Sequence, residues 1–269
     1  MKNFLKFTLF FSMVLATAQN AAHALGISPY IVDLKTDNGK DGVKTIKVFN
    51  DSNLTYSLKM YAHDIGFDKN GNKTHFPPVG ADSTAKYLEI LPKNLVLKPN
   101  ESKEVKVVVK TPENWKGGKQ SLVFFDAKPD VPNLSPADKK KISARLELNL
   151  SLGALILHEI NGTTQIKSRI VKADVVSKKK GKKLDISIDV ENEGNTHVKT
   201  AGFVSILDSN DNFIGKVELP NLVLFPNKTE TLNTVWEGQK LKEGLYHALI
   251  TYEYGEDKNV IIDKPFNIN

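Results

Sequence analysis

The chain contains no cysteine. That absence removes disulfide stapling, thiolate-ligated zinc or iron–sulfur clusters, c-type haem attachment and cysteine nucleophiles. Helical periodicity is missing too: after the first two dozen residues no stretch places its apolar side chains on a 3.6-residue repeat. Histidine is sparse, six residues in all and none in an HxH or HExxH spacing, so no imidazole metal centre is expected. There is no GxSxG and no glycine-rich phosphate loop leading into a helix. Ser83-Thr84-Ala85-Lys86 and Ser177-Lys178-Lys179-Lys180 match the SxxK nucleophile pattern, which needs a serine at a helix start and a second lysine motif. Neither condition is met, and both read as chance matches. The chain is therefore expected to be no enzyme, with no metal and no cofactor. Long apolar runs are also lacking: none reaches the ~20 residues needed to cross a bilayer, so no integral membrane segment is expected.

What is present begins with an export signal. Lys2 and Lys6 precede the apolar run from Phe7 to Ala18, and Ala22-His23-Ala24 offers a small-x-small cleavage site, so residues 1–24 read as a signal peptide cut after Ala24. The full chain has 269 residues, 40% of them hydrophobic, which suffices for two ordinary cores held by packing and sheet pairing alone. Its formal charge is +6, with dense spots at Lys139–Lys141 and from Lys178 to Lys183. No aromatic residue is interleaved with either run, and the second flanks Gly181 between two strand-like stretches. A solvated hairpin turn is expected there, and no nucleic-acid partner.

Strand patterns fill the rest. Val43–Phe49, Tyr56–Tyr61, Glu104–Val109, Leu184–Val190 and Leu245–Tyr254 alternate or run β-branched and aromatic between Asn, Asp, Gly and Pro clusters. The chain also repeats itself: Asn94-Leu95-Val96-Leu97-Lys98-Pro99-Asn100 returns as Asn221-Leu222-Val223-Leu224-Phe225-Pro226-Asn227, and Asn50-Asp51-Ser52-Asn53 matches Asn192-Glu193-Gly194-Asn195. The predicted fold is all-β: two tandem Ig-like β-sandwich domains after a cleaved signal peptide, residues 25–160 and 165–269, joined around Asn161-Gly162. From the Asn turn to the Leu-Val-Leu strand takes 44 residues in the first copy (Asn50 to Asn94) and 29 in the second (Asn192 to Asn221), so the first carries a longer loop, holding Pro77 and Pro78. Asp68-x-Asn70-x-Asn72 and Asp208-x-Asn210-x-Asn212 have the opening spacing of a calcium loop but lack its glycine and its closing glutamate. They are expected to be polar hairpin turns.

The cleanest two-residue alternation is Ile142 to Leu152, apolar at every even position, after a proline-rich charged segment. As the last strand of the first sandwich it is expected at a sheet edge. Its leucines either fill that domain's own core or are free to complete a partner that lacks a strand.

The order of leader, Ig-like domain, long loop, alternating strand and second Ig-like domain resembles the periplasmic chaperones of chaperone–usher pilus assembly. The likeness is closest to the colonisation-factor-type fimbrial branch, in Leu122-Val123-Phe124-Phe125-Asp126-Ala127-Lys128-Pro129-Asp130 and in Leu148–Leu157. It implies a non-enzymatic periplasmic protein that caps fimbrial subunits and delivers them to an outer-membrane usher, with Ala144, Leu146, Leu148, Leu150 and Leu152 as donor-strand residues. Common members hold the subunit's terminal carboxylate with an arginine in the first strand and a lysine late in the donor strand. Here Ser28–Val32 and Gly153–Ile156 contain no basic residue, and Lys35, His158 and Lys167 are the nearest candidates. Tandem Ig-like domains also resemble WxL-associated cell-surface proteins, whose role would be structural.

Overall fold

The computed structural model describes residues 25–69, 71–80, 83–130, 149–178, 181–255 and 257–269. Among these the regular structure is strand apart from a 3-10 turn at Ala85–Tyr87 and a single 3-10 residue at Gly181. The expected leader, and Ala144, Leu146 and Leu148 of the expected donor strand, lie outside the described residues.

In the first sandwich one sheet runs in the order β1 (Leu25–Ser28), β3 (Gly42–Asn50), β8 (Glu101–Val109), β6 (Leu88–Leu91). The other runs β2 (Ile31–Thr36), β10 (Leu150–Ile160), β9 (Gly118–Asp130), β4 (Thr55–Phe67), β5 (Lys73–Phe76), with β7 (Asn94–Leu97) also on β4. Alternate residues point inward, so Ile46 and Val48 meet Val105, Val107, Leu58, Val123, Phe125 and Ile156 in one core. Each such side chain contributes about 1.5–3 kcal/mol on burial. The first strand is split: Leu25–Ser28 pairs antiparallel with β3, and after Pro29 and Tyr30 the chain crosses to the opposite sheet, where Ile31–Thr36 lies parallel to Leu155–Ile160.

The second sandwich stacks β11 (Ser168–Lys178), β12 (Lys183–Asn192) and β17 (Thr229–Glu237) against β15 (Phe213–Glu218), β14 (Ala201–Asp208), β18 (Gly244–Glu253) and β19 (Asn259–Ile268), with the short pair β13 (Val198–Lys199) and β16 (Val223–Leu224) beside them. Its core gathers Leu184, Ile186, Ile188, Ile206, Leu232, Trp236, Ile250 and Tyr252. β11 pairs antiparallel with β12, and Lys178 lies opposite Lys183, the two described ends of the lysine-rich stretch.

The repeat has a physical centre in each copy. Asn50 and Asn192 are fully buried. Asn50 Nδ2 donates to the carbonyls of Leu54 (2.7 Å) and Lys98 (3.0 Å), and its Oδ1 accepts from Ser52 N (3.0 Å). Asn192 Nδ2 donates to Thr196 O (2.8 Å) and Leu224 O (3.0 Å), and its Oδ1 accepts from Gly194 N (2.9 Å). One amide thus ties the turn to the Leu-Val-Leu strand, and the Pro-Asn turn that follows puts Asn100 and Asn227 at φ 55° and 57°. The calcium-like spacings are hairpin turns: Asp68 Oδ1 accepts from Asn72 N at 2.9 Å and Asp208 Oδ1 from Asn212 N at 2.9 Å. The longer loop of the first copy contains the 3-10 turn and β6, an extra edge strand on β8.

The joint is close-packed. Gly118 N donates to Asn195 O at 2.8 Å, and Gln165 N to Asn195 Oδ1 at 2.6 Å. A Cβ on Gly118 would stand 2.3 Å from Thr196 Oγ1, so the two backbones touch only because that residue has no side chain. On one flank the β4–β5 tip rests on the second sandwich: Phe67 meets Phe225 edge-on at 6.0 Å, Lys228 Nζ lies 4.0 Å over the Phe67 ring, and Lys73 pairs with Glu230 at 3.1 Å.

Candidate functional site

β10 is covered unevenly. Along its whole length it pairs with β9, from Leu150 opposite Ala127 to Glu159 opposite Gly118. On its other side β2 begins only at Leu155, whose N–H donates to Tyr30 O at 2.8 Å. Residues 150–154 therefore present one row of backbone N–H and C=O groups with no strand beside it among the described residues. The described end of the expected edge strand, Leu150–Leu152, lies at the edge as expected; from Leu155 onward β10 is an inner strand, because β2 lies beside it there.

The two described donor candidates differ. Leu150 is 39% exposed, whereas Leu152 is half-buried and packs on the rim of the first core, whose next residues inward, Ala154 and Ile156, are buried. The alternating face is continuous with the core and runs off its end, so the two readings of the leucines divide along the strand: inward for Ile156, outward for Leu150.

A second concavity, of about 500 Å³, lies between the sandwiches beside β2 and the end of β10. Its floor is Leu34, Leu157 and Val198, and its charges come from both domains. Lys199 Nζ binds Asp33 at 2.6 Å across the joint, and Lys35 Nζ binds Glu159 at 3.2 Å. Glu159 Oε1 also accepts from Thr196 Oγ1 at 3.4 Å and stands 3.7 Å from His197 Nε2. Burial holds His197 below the ordinary histidine range, while Glu159 pulls the other way. Lys258 Nζ, on the same wall, donates to Ile166 O at 3.0 Å.

Of the three basic residues expected near a carboxylate, the cleft contains Lys35. Lys167 is paired with Glu193 at 2.8 Å, on the second sandwich. His158 is not a surface cation. It is 1% exposed, its Nε2 lies 2.7 Å from Thr36 Oγ1, and burial, followed by the charge of Lys119, pushes its pKa down to about 4. Its ring faces inward because it stands on the same alternating face of β10 as the buried Ala154 and Ile156. Sequence alone does not single out Lys199, Lys258 and His197. They come from the second sandwich, and only the contact between the domains places them opposite Lys35.

No protein-family model matches the chain, and no curated protein matches it. Among solved structures, it is similar to a chaperone–tip adhesin complex of CFA/I fimbriae biogenesis (17% identity, 90% of this chain and 98% of that one, TM-score 0.46). It is similar also to the class 5 fimbriae chaperone CfaA (17%, 90% and 99%, 0.46) and to a Salmonella enterica SafA pilin complex with the SafB chaperone (14%, 91% and 95%, 0.44).

Proposed function

We propose that this chain is a non-enzymatic periplasmic chaperone that caps fimbrial subunits by lending them the open end of β10 and passes them to an outer-membrane usher. The carrying observation is the unpaired backbone row at residues 150–154, next to an apolar face that continues the core outward through Leu152 and Leu150. A sandwich lacking a strand supplies what this edge lacks: a row of backbone partners and pockets for alternate side chains. Ala144, Leu146 and Leu148 extend the same alternation, and with Leu150 and Leu152 they form the donor set. The subunit's terminal carboxylate is received in the cleft, where Lys35, Lys199 and Lys258 lie within one concavity. Lys199 and Lys35 are paired with Asp33 and Glu159, so the incoming carboxylate exchanges with one of these for its partner, while Lys258 is held by the carbonyl of Ile166.

The test is capture of a co-produced subunit by Leu150→Glu. A carboxylate at this exposed position costs the free protein little, within about 0.5 kcal/mol. In a complex it is buried without a partner, and capture is lost. Unchanged melting with lost capture supports the reading. Capture equal to that of the parent chain overturns it.

A further inference from the structure

On the solvent face of the six-stranded sheet a chain of side-chain contacts crosses four strands and ends on the open part of β10. His75, on β5, and His63, on β4, meet Nδ1 to Nδ1 at 2.9 Å, with ring centres 5.2 Å apart. Facing nitrogens at this distance share a proton: one donates and the other accepts. Both rings pack on Phe124 of β9, at 5.3 Å from His63 and 4.6 Å from His75. His63 also packs on Tyr61 at 4.9 Å. The Tyr61 hydroxyl is hydrogen-bonded to Asp126 and Ser151, and burial, followed by Asp126, raises its pKa. Ser151 Oγ donates to Asp126 Oδ1 at 2.6 Å.

This bond falls where β10 has least support. Ser151 lies opposite Asp126 in the register, within the five residues that no second strand covers among the described residues. Gly153, two residues on, sits beside Phe124 and has no side chain of its own to brace the strand there. Asp126 is therefore the side-chain tether of the open end on this face, and the same carboxylate is within electrostatic reach of His63.

We propose that Asp126 positions the open end of β10 through Ser151, and that the His63–His75 pair makes this hold, and with it the capture of a partner strand, sensitive to acid. The proposal rests on the strand-lending reading above for its effect on capture, but the tether itself belongs to the free protein. In the uncharged pair one N–H···N bond joins the rings. The first proton leaves that bond charge-assisted. The second turns both nitrogens into donors and separates the rings. An imidazolium at position 63 then competes with Ser151 for the Asp126 carboxylate.

The charged and titratable groups facing the pair set the range. Burial, then His75, lowers the pKa of His63, while Asp64 on its own strand and Asp126 on β9 raise it. Lys59 lies opposite Asp126 in the register, with Lys128 further along β9 on the same outer surface. Lys73, on β5, is drawn away to Glu230. The response is expected below the ordinary histidine midpoint of about 6.5.

Two readings of the full chain test this. In nuclear magnetic resonance titrations the amides of Ser151 and Gly153 should move with the same midpoint as the His63 ring. That movement should vanish in Asp126→Asn and in His75→Gln. Capture of a co-purified subunit should weaken about ten-fold from pH 6.5 to 4.5 in the parent, the scale of one linked proton, and less than two-fold in His75→Gln. Amides that ignore the histidines, or a His75→Gln profile as steep as the parent's, overturn the proposal. Amides that follow the histidines in a protein that captures nothing at any pH uphold the tether and sink the strand-lending reading instead.

Discussion

The two sandwiches are built on one plan and finished differently. Each hangs its Leu-Val-Leu strand and its preceding turn on a single buried asparagine, Asn50 or Asn192, and each closes the following hairpin with an aspartate that accepts from the turn's own N–H groups. The finish separates them. In the first, the opening strand is shared between two sheets and joins β10 only from Ile31 onward, leaving residues 150–154 of β10 without a second strand among the described residues. In the second, β12 and β14 have partners on both sides, and the open flanks fall to β11, β15, β17 and β19. A buried polar hub thus specifies the common frame, while the length of one peripheral strand decides whether the frame exposes a usable edge.

The comparison is broken most severely at the hubs. Asn50→Ala leaves the carbonyls of Leu54 and Lys98 and the N–H of Ser52 without their partner, at about 3 kcal/mol for buried groups. Asn192→Ala removes three equivalent bonds and should cost a similar amount. Calorimetry should show each substitution lowering the transition of its own sandwich. If either lowers both transitions equally, the joint couples the domains so strongly that they melt as one.

Acid should separate the domains next. His158 has a folded-state pKa of about 4, below the 6.5 of an unconstrained imidazole. Between those values the unfolded chain binds a proton that the folded one refuses, so stability is full above 6.5 and falls as pH falls toward 4, by up to about 3 kcal/mol. His197 at the joint shifts in the same direction. The first sandwich should therefore lose stability in denaturant titrations at pH 4.5 more than the second, and His158→Gln should flatten that loss. The smallest effect belongs to Lys199→Ala. Its bond to Asp33 is half exposed at both ends, so the change should be under about 1 kcal/mol at low salt and vanish at high salt.

Much of the frame is legible in the sequence because it is written twice. The recurring Asn turn and Leu-Val-Leu strand mark both sandwiches, and strict alternation marks β10. That the asparagines are buried is not legible: a turn asparagine and a core asparagine look alike until the strand that supplies its carbonyl is placed. The split of Leu25–Thr36 is equally hidden, since an apolar strand reads the same whichever sheet receives each half. Lys35 could be found from sequence by its nearness to the first strand. Lys199 and Lys258 could not, because they reach the cleft through contact between domains. His63 and His75 become neighbours only once the Asp68–Asn72 turn sets Ile65 opposite His75.

The uncharged stretch Leu150-Ser151-Leu152-Gly153-Ala154 has a consequence for the cell that makes the protein. Natural sheets guard their flanks with lysine, proline or bulges, and this segment has none of them. Its backbone can therefore be templated by any extended chain, including a nascent or damaged one. Solubility then depends on stoichiometry: at high concentration without its intended occupant, the protein is exposed to cross-strand aggregation at this end of β10.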